Sequence, residues 1–399
     1  MILPDDFRTM MQEQLGEEYE AFAEALNTDP VCSIRLNRRK PSGRFADEEQ
    51  VPWCEYGRYL KERPLFTLDP LLHAGCYYVQ EASSMFISWL LKQYITDEEP
   101  MVALDLCAAP GGKSTLLLND LPEGSMLYAN EPIRQRANIL KENIIKWGNS
   151  NVVVTCNYPK HYKALEEAFD LILCDAPCSG EGMFRKDSDS IEEWSMKNVL
   201  MCQQRQREIV EDIWGCLREG GLFIYSTCTY NHYEDEDNVR WIAETLGAEV
   251  LPLNDKTEWG IIDGHFYPHH VKGEGFFVAI LRKSGDGPRR AIDKKKVLKN
   301  LYLLLDGIEP GRVVDKKGTV EPSQAEAMMG AGEKWQKAEL QLEGALQYLR
   351  GEAMQLTEEG LEKGYVMVTF EGFPLGFCKN IGNRANNLYP AEWRIKKKQ

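Results

Sequence analysis

Long apolar runs are missing from this chain of 399 residues. Nothing approaches the roughly 20 consecutive apolar positions of a membrane-spanning helix, and Leu301–Leu305 is far too short. The start, Met1-Ile-Leu-Pro-Asp-Asp-Phe7, lacks the basic cluster and apolar stretch of a secretory signal, so a soluble, cytoplasmic protein is expected. Metal-ligand spacing is missing as well. The 11 cysteines are odd in number and irregularly spaced. Cys174 and Cys178 are not a C-x-x-C pair, and no nearby histidine completes a set of ligands. Neither a disulfide framework nor a metal is expected from that pattern.

Positive charge is in deficit. A net charge of -15 excludes indiscriminate adhesion to polyanions, because long-range repulsion opposes encounter. Local basic clusters are nevertheless present. Arg35, Arg38, Arg39, Lys40 and Arg44 fall between Val31 and Phe45 with no acidic residue among them, and further clusters occur at Lys294–Lys296, Arg384, Arg394 and Lys396–Lys398. Each fits either a solvated face or a patch for a structured nucleic acid.

What is there is a change of pattern along the chain. Residues 3–27 carry apolar side chains at spacings of three and four, the signature of helices with one buried face, and Val31–Asn37 alternates like a strand. A helix is expected over Val79–Tyr94, starting near Glu81. From Met101, apolar strands (Val102–Leu106, Met126–Asn130, Asn151–Thr155, Phe169–Cys174, Gly221–Tyr225) alternate with helices (Lys113–Asn119, Arg134–Trp147, Asn198–Leu217, Glu236–Leu246). Two closing strands are expected at Gly260–Ile262 and Phe276–Leu281. Fully apolar strands separated by helices imply an α/β fold, a doubly wound Rossmann-like parallel sheet covered on both faces. Ser284–Arg290 has the composition of a linker, and Tyr365–Phe370 with Leu375–Cys378 reads as a hairpin around Glu371–Pro374. The expected division is an N-terminal α+β region over 1–98, the α/β domain over 99–283, a linker over 284–295 and a small C-terminal domain over 296–399.

Three motifs fall at the ends of strands in that sheet. Leu104-Asp-Leu-Cys-Ala-Ala-Pro-Gly-Gly-Lys-Ser114 turns the first strand into a helix, where main-chain N–H groups and small residues admit an anionic ligand. It is not G-x-G-x-x-G, so the dinucleotide fingerprint is not met. Glu131, at the end of the second strand, can accept hydrogen bonds from a ribose diol. The other two motifs are Asp175-Ala-Pro-Cys-Ser-Gly180 and Ser226-Thr-Cys-Thr229. They bring Asp175, Cys178 and Cys228 to the same edge. Buried cysteine is commonly a small apolar filler, the reading for Cys107, Cys174, Cys202 and Cys216. Two thiols at a ligand edge point instead to covalent chemistry, without ordering their roles.

Together the three motifs resemble the Nol/Nop/Sun family of RNA cytosine-C5 methyltransferases. Arg35-Leu-Asn37 and Tyr78-Val-Gln-Glu-Ala-Ser-Ser84 are similar to its N-terminal segments. Phe373–Phe377, Asn386–Pro390 and Trp393-Arg-Ile395 are similar to the C-terminal region of its RsmF-type branch, bacterial 16S ribosomal RNA methyltransferases with a PUA-like RNA-binding tail. The resemblance implies S-adenosylmethionine as cofactor, held by Cys107, Ala108, Ala109, Pro110, Gly111, Gly112, Lys113, Glu131 and Asp175. It implies RNA-binding terminal regions and, as partner, 16S ribosomal RNA within a 30S subunit or its assembly intermediate, met by a monomer. It also implies Cys228 as nucleophile and Cys178 as the group assisting product release.

The chemistry requires a thiol. C5 of cytosine is a poor nucleophile, and addition of a thiolate at C6 gives it enamine character. A carboxyl group at the pyrimidine's N3/N4 edge stabilises the adduct, the place expected for Asp175. The base must be unstacked to enter such a pocket. Where many members carry an acidic residue near the adenine, this chain has Asn157, which can accept from the adenine amino group. Arg185 and Lys186 follow the catalytic loop and are candidates for phosphate contact or plain surface charge. The rival readings are a methyltransferase of the same family acting on transfer RNA or another RNA, and a non-catalytic ribosomal-RNA-binding assembly factor on an idle fold.

Overall fold

The structure, a computed structural model, describes residues 1–253, 257–314, 316, 318–330, 334–356 and 360–396. Lys397 and Lys398 of the basic tail lie outside the described residues. Helices α1 (Asp5–Leu15) and α2 (Tyr19–Ala25) bury Phe7, Met11 and Phe22 on one side, as the three-and-four spacing requires. Strands β1 (Ser33–Leu36), β2 (Glu49–Gln50), β3 (Gly57–Tyr59) and β4 (Tyr77–Val79) form a small sheet in the order β2-β3-β1-β4, with the short helix α3 (Pro70–His73) before β4. The helix expected from Val79 begins later, as α4 (Phe86–Tyr94), after a 3₁₀ turn over Ser83–Met85. The Glu81 carboxylate accepts from the main-chain N–H groups of Ser83 and Ser84 at 3.0 and 2.9 Å, so Glu81 caps the turn from outside.

The centre is an eight-stranded sheet of β5 (Val102–Asp105), β6 (Met126–Asn130), β7 (Val152–Thr155), β8 (Phe169–Asp175), β9 (Leu217–Thr227), β10 (Ala248–Val250), β11 (Phe277–Lys283) and β12 (Leu303–Asp306). Its order is β10-β11-β9-β8-β5-β6-β7-β12; β9-β8-β5-β6-β7 are parallel, β11 and β12 run against them, and β10 pairs antiparallel with β11. The helices between are α5 (Gly112–Asp120), α6 (Arg134–Trp147), α7 (Ser188–Glu193), α8 (Met196–Trp214) and α9 (Glu236–Leu246). Alternate strand residues enter two cores. Ala103, Leu171, Leu173 and Ile224 pack with Phe86, Leu116 and Leu140, while Leu104, Ile172 and Phe223 pack with Val210, Ile213 and Ile242. Both faces are therefore covered, and the strands have no polar side to show. Among the described residues no helix is long and apolar enough to cross a membrane.

Several boundaries depart from the sequence pattern. β9 starts at Leu217, directly after α8, because its first residues pair with Phe169 before a register shift. Gly260–Ile262 is not a strand: Ile262 makes an isolated bridge to His265 around Asp263 and Gly264, both at positive φ. The edge strand beside β11 is β10 instead. β12 lies beyond the Gly/Pro-rich segment and pairs with β7, so the central sheet takes a strand from the region expected to belong to the C-terminal domain.

After β13 (Arg312–Val313), which pairs with β14 (Val320–Glu321), the chain forms a four-stranded sheet of β15 (Gln336–Glu339), β16 (Gly364–Phe370), β17 (Phe373–Asn380) and β18 (Ala385–Asn387). The expected hairpin is there with a tighter turn. Glu371 and Gly372 both take positive φ, the two-residue geometry that suits strand twist, and Pro374 falls inside β17 beside a bulge. This sheet shares a core with the N-terminal one: Ile34, Leu71 and Tyr77 pack with Tyr348, Val366 and Tyr389.

Candidate active site

The chain runs from β5 outward through β6 to β7, then returns to place β8 and β9 on the other side of β5. The order reverses between β5 and β8, and a crevice opens at the carboxyl ends of such neighbouring strands. All three motifs emerge there. Gly111 caps α5 with φ 116°, and a Cβ on it would lie 3.3 Å from Leu140 Cδ1, so the turn needs glycine. Cys107, Ala108, Ala109, Pro110, Gly112, Lys113 and Asp175 line one cavity. Its opposite wall is Tyr78–Glu81 with Ser84, so the N-terminal region builds part of the crevice.

Arg35 makes this possible. It is 1% exposed and donates to Gln80 Oε1 (2.8 Å), Thr115 Oγ1 (2.6 Å) and Gly112 O (3.1 Å), tying the N-terminal wall to the first turn of α5. Its role as part of a basic surface patch is thereby corrected. Lys40 is likewise buried, donating to the carbonyls of Ala74 and Lys146, whereas Arg38, Arg39 and Arg44 are exposed.

Asp175 ends β8 with both carboxylate oxygens engaged: Lys113 Nζ is 2.8 Å from Oδ2, and Ser226 Oγ donates to Oδ1 at 2.8 Å. Burial pulls the Lys113 pKa down, but the Asp175 charge and hydrogen bond, with Cys228 adding to them, hold it above the ordinary lysine value. Asp105, at the end of β5, is fully buried and accepts from Ser114 Oγ (2.6 Å); Oδ1 has no hydrogen-bond partner among the described residues. Burial pushes its pKa up to about 7, against the opposing Ser114 bond.

Cys178 and Cys228 meet. Their Sγ atoms lie 3.2 Å apart, both half-buried, although the two residues are on different loops. The hydrogen bond to Cys228, and then burial, raise the Cys178 thiol well above the usual cysteine range. Of the cysteines read as filler, Cys174, Cys202 and Cys216 are buried, in keeping with that role, while Cys107 is half-buried at the cavity wall.

A layer of residues that no local sequence pattern singles out supports the pair. Glu234 accepts from Ser179 N (3.0 Å), Gln206 Nε2 (2.7 Å) and Asn231 Nδ2 (3.0 Å), which fixes the Cys178 loop. Glu181 accepts from Tyr230 N (2.7 Å), Asn231 Nδ2 (2.8 Å) and Trp194 Nε1 (2.9 Å). Gly182 N donates to Cys228 O at 2.8 Å. The acidic run Glu234–Asp237 is visible in the sequence, but acidic runs are usually solvated, and nothing local marks this one as interior.

Glu131, Asn157 and Arg185 each have protein partners that bear on their expected contacts. Glu131 is 1% exposed, accepts from Ile133 N (2.9 Å) and pairs with Arg136 (3.2 Å); it sits at the end of β6 and does not line the cavity with Lys113 and Asp175. Asn157 spends its amide on the main chain of Tyr302, donating and accepting at 3.0 Å, so it is an anchor for the segment before β12 and not a free acceptor. Arg185, with its side chain 4% exposed, pairs with buried Glu274 at 2.9 Å, which removes it from phosphate contact; Lys186 lies at 4.0 Å from the same carboxylate.

Comparison with known proteins bears on this geometry. The model of the 16S rRNA methyltransferase RsmB/F family matches residues 92–282, that of the N-terminal domain of 16S rRNA methyltransferase RsmF residues 3–82, and that of the methyltransferase RsmF PUA domain residues 336–395. Ribosomal RNA small subunit methyltransferase F of Enterobacter sp. (strain 638) is 32% identical over 98% of this chain and 96% of its own length. Its counterpart from Citrobacter koseri is 32% identical with the same coverage. Among solved structures, a methyltransferase homolog protein from Pyrococcus horikoshii is similar with a TM-score of 0.60 and 26% identity, over 69% of this chain and 94% of that one. With the glycine turn, the crevice and the full span of the match in agreement, this chain belongs to the 16S rRNA methyltransferase RsmB/F family, in its RsmF branch, and is an S-adenosylmethionine-dependent methyltransferase with a C-terminal PUA domain.

Proposed function

We propose that this methyltransferase acts on 16S ribosomal RNA, as its relatives' names state of them, and makes 5-methylcytidine through a covalent bond between Cys228 and C6 of a cytosine. The observation that carries the reading is the 3.2 Å approach of Cys178 and Cys228, on the loops that follow β8 and β9. Two thiols in contact beside a cation and a carboxylate are more than packing requires.

The crevice suits S-adenosylmethionine. The α5 turn offers main-chain N–H groups, the cavity reaches Lys113 and Asp175, and the unpartnered Oδ1 of buried Asp105 calls for a polar or cationic group. Bound there, the cofactor supplies an electrophilic methyl group. Glu131, outside the cavity lining, keeps unused lone pairs beside its bonds to Ile133 N and Arg136 and can accept from a ribose hydroxyl.

The chain's own residues then divide the work. Cys228 adds to C6, with the Lys113 charge nearby to stabilise the developing anion. Asp175 keeps unused lone pairs beside its bonds to Lys113 and Ser226 and can accept from the cytosine amino group. After methylation the C5 proton leaves to a base and the C6–sulfur bond breaks. Cys178, which keeps its proton and lies 3.2 Å from the Cys228 sulfur, donates a hydrogen bond to that sulfur as it departs as a thiolate and so assists elimination. The test is to incubate the protein with labelled methyl donor and 30S subunits or 16S ribosomal RNA, digest to nucleosides and separate them. Label in 5-methylcytidine is expected; label in any other nucleoside overturns the reading.

A further inference from the structure

Behind the strand that carries Cys228, Asp235, Glu236 and His265 bring one ligand atom each to within 4.8 Å of one another. Asp235 is 0% exposed and His265 3%. His265 Nε2 lies 2.8 Å from Glu236 Oε1, a contact in which the ring nitrogen must be the donor to a carboxylate. With that proton on Nε2, the neutral ring turns the lone pair of Nδ1 toward Asp235 Oδ2, 3.9 Å away. Neither Nδ1 nor Oδ2 has a hydrogen-bond partner among the described residues, and Glu236 Oε2 has none either.

Two buried acceptors facing each other need something positive between them. The gap is too long for a direct hydrogen bond, and shorter than the roughly 4.6 Å spanned by a water joining two groups at a tetrahedral angle. A zinc-type ion about 2.0–2.2 Å from each ligand separates them by about 3–4 Å. The carboxylate–histidine–metal arrangement, with Glu236 fixing the ring and Nδ1 free to ligate, is the usual way a protein sets the tautomer of a metal-binding histidine. A cation would also offset the burial of Asp235, whose desolvation otherwise pushes the carboxyl toward the neutral form.

We infer that His265 and Asp235, with Glu236, form a binding site for a divalent transition-metal ion. The sequence pattern spoke against a metal because these ligands are carboxylates and a histidine far apart in the chain, brought together only when the turn before β11 packs on the start of α9. The ion has a structural part to play. Asp235 Oδ1 accepts from Thr227 Oγ1 (2.5 Å) and Thr229 Oγ1 (3.1 Å), the residues on either side of Cys228. Fixing Asp235 therefore fixes the strand end that presents this sulfur. Glu236, with its side chain 39% exposed, gives the site an edge on solvent through which an ion can enter.

The experiment uses the full-length protein, stripped with chelator and desalted, with Zn²⁺ and Co²⁺ as probes. One Zn²⁺ per chain is expected by equilibrium dialysis and elemental analysis. Co²⁺ should give visible d–d bands without the near-ultraviolet charge-transfer band of cysteine ligation. D235N and H265Q, shown to be folded by circular dichroism, should each weaken binding by about 10–100-fold. E18Q, in the exposed cluster of Glu18, His269 and His270, should leave it unchanged. If D235N does not fold, E236Q reads the same site from its accessible edge and should weaken binding about 10-fold. Absence of Zn²⁺ binding by the wild type at about 0.1 mM (far above the roughly 0.05 μM or tighter implied by about 10–16 kcal/mol of structural zinc binding), a cysteine charge-transfer band, or wild-type affinity in the folded variants overturns the inference. Asp235 then stays neutral, its buried carboxyl holding a proton in place of the ion.

Discussion

Lys113 Nζ lies 2.8 Å from Asp175 Oδ2, and this pair joins the glycine turn after β5 to the loop that carries Cys178. The same ammonium is close enough to Cys228 for its charge to be felt there. Substituting Lys113→Met removes that charge and leaves Asp175 without its cation. Turnover is expected to fall about 10²-fold, in line with loss of one preorganised electrostatic group. Single-turnover methyl transfer at saturating donor measures it; a variant within about 2-fold of the wild type contradicts the role.

Gly182 has no room for a side chain. A Cβ there would lie 2.7 Å from Gly275 O and 3.1 Å from Cys228 O, both main-chain atoms that cannot swing away. Gly182→Ala should lower stability by about 1–3 kcal/mol, the usual cost of overpacking, and reduce turnover by displacing Cys228. Urea unfolding together with methyl-transfer rates tests both effects; unchanged activity with lower stability would uncouple this contact from catalysis.

Arg35 donates four hydrogen bonds from the interior of the N-terminal wall, to Gln80, Gly112 and twice to Thr115, and stacks at 4.7 Å over Trp147. Arg35→Met keeps the length of the side chain but strands Gln80 Oε1 and the start of α5. A loss of about 2–4 kcal/mol is expected, with donor binding weakened several-fold because both walls of the cavity depend on this residue. Calorimetric titration with S-adenosylmethionine reads the second effect directly.

The central sheet and the positions of the three motifs could be read from the chain because both signals are local. Apolar strands of four to seven residues, such as Val152–Thr155 and Phe169–Asp175, need no partner to be recognised, and a glycine turn after a strand is written in consecutive letters. The proximity of Cys178 and Cys228 followed from strand adjacency. What could not be read is long-range. Arg35 looks like surface charge until α5 and Gln80 are placed around it, and Arg185 looks like a phosphate ligand until Glu274 arrives from beyond β9. Asn157 had the right chemistry for adenine, but the main chain of Tyr302 takes both ends of its amide. Buried carboxylates such as Glu181 and Glu234 are invisible for the same reason: Glu234 is satisfied by donors from three separate segments and Glu181 by donors from two.

Asp105 links the crevice to pH. Its pKa is pushed up to about 7, chiefly by burial, from an unfolded value near 3.8. The folded state therefore holds this proton more tightly, so the contribution is full below pH of about 4 and is lost as pH rises toward about 7. In protein without cofactor, Asp105→Asn should flatten that part of the stability profile, which amounts to a few kcal/mol, about 1.4 per pKa unit. Urea midpoints at pH 4.5, 6 and 8 (spanning roughly the two pKa values) reveal the slope; identical slopes in both proteins would contradict the assignment.

The division of labour between the two sulfurs is most directly tested by trapping. Wild type, Cys228→Ala and Cys178→Ala are each incubated with substrate RNA and S-adenosylmethionine, then run on a denaturing gel without reductant-sensitive crosslinks. Cys228→Ala should give neither methylated product nor retained complex, while Cys178→Ala should accumulate a denaturation-resistant RNA–protein species because elimination is slowed. A retained complex with Cys228→Ala, and none with Cys178→Ala, would contradict covalent attack by Cys228.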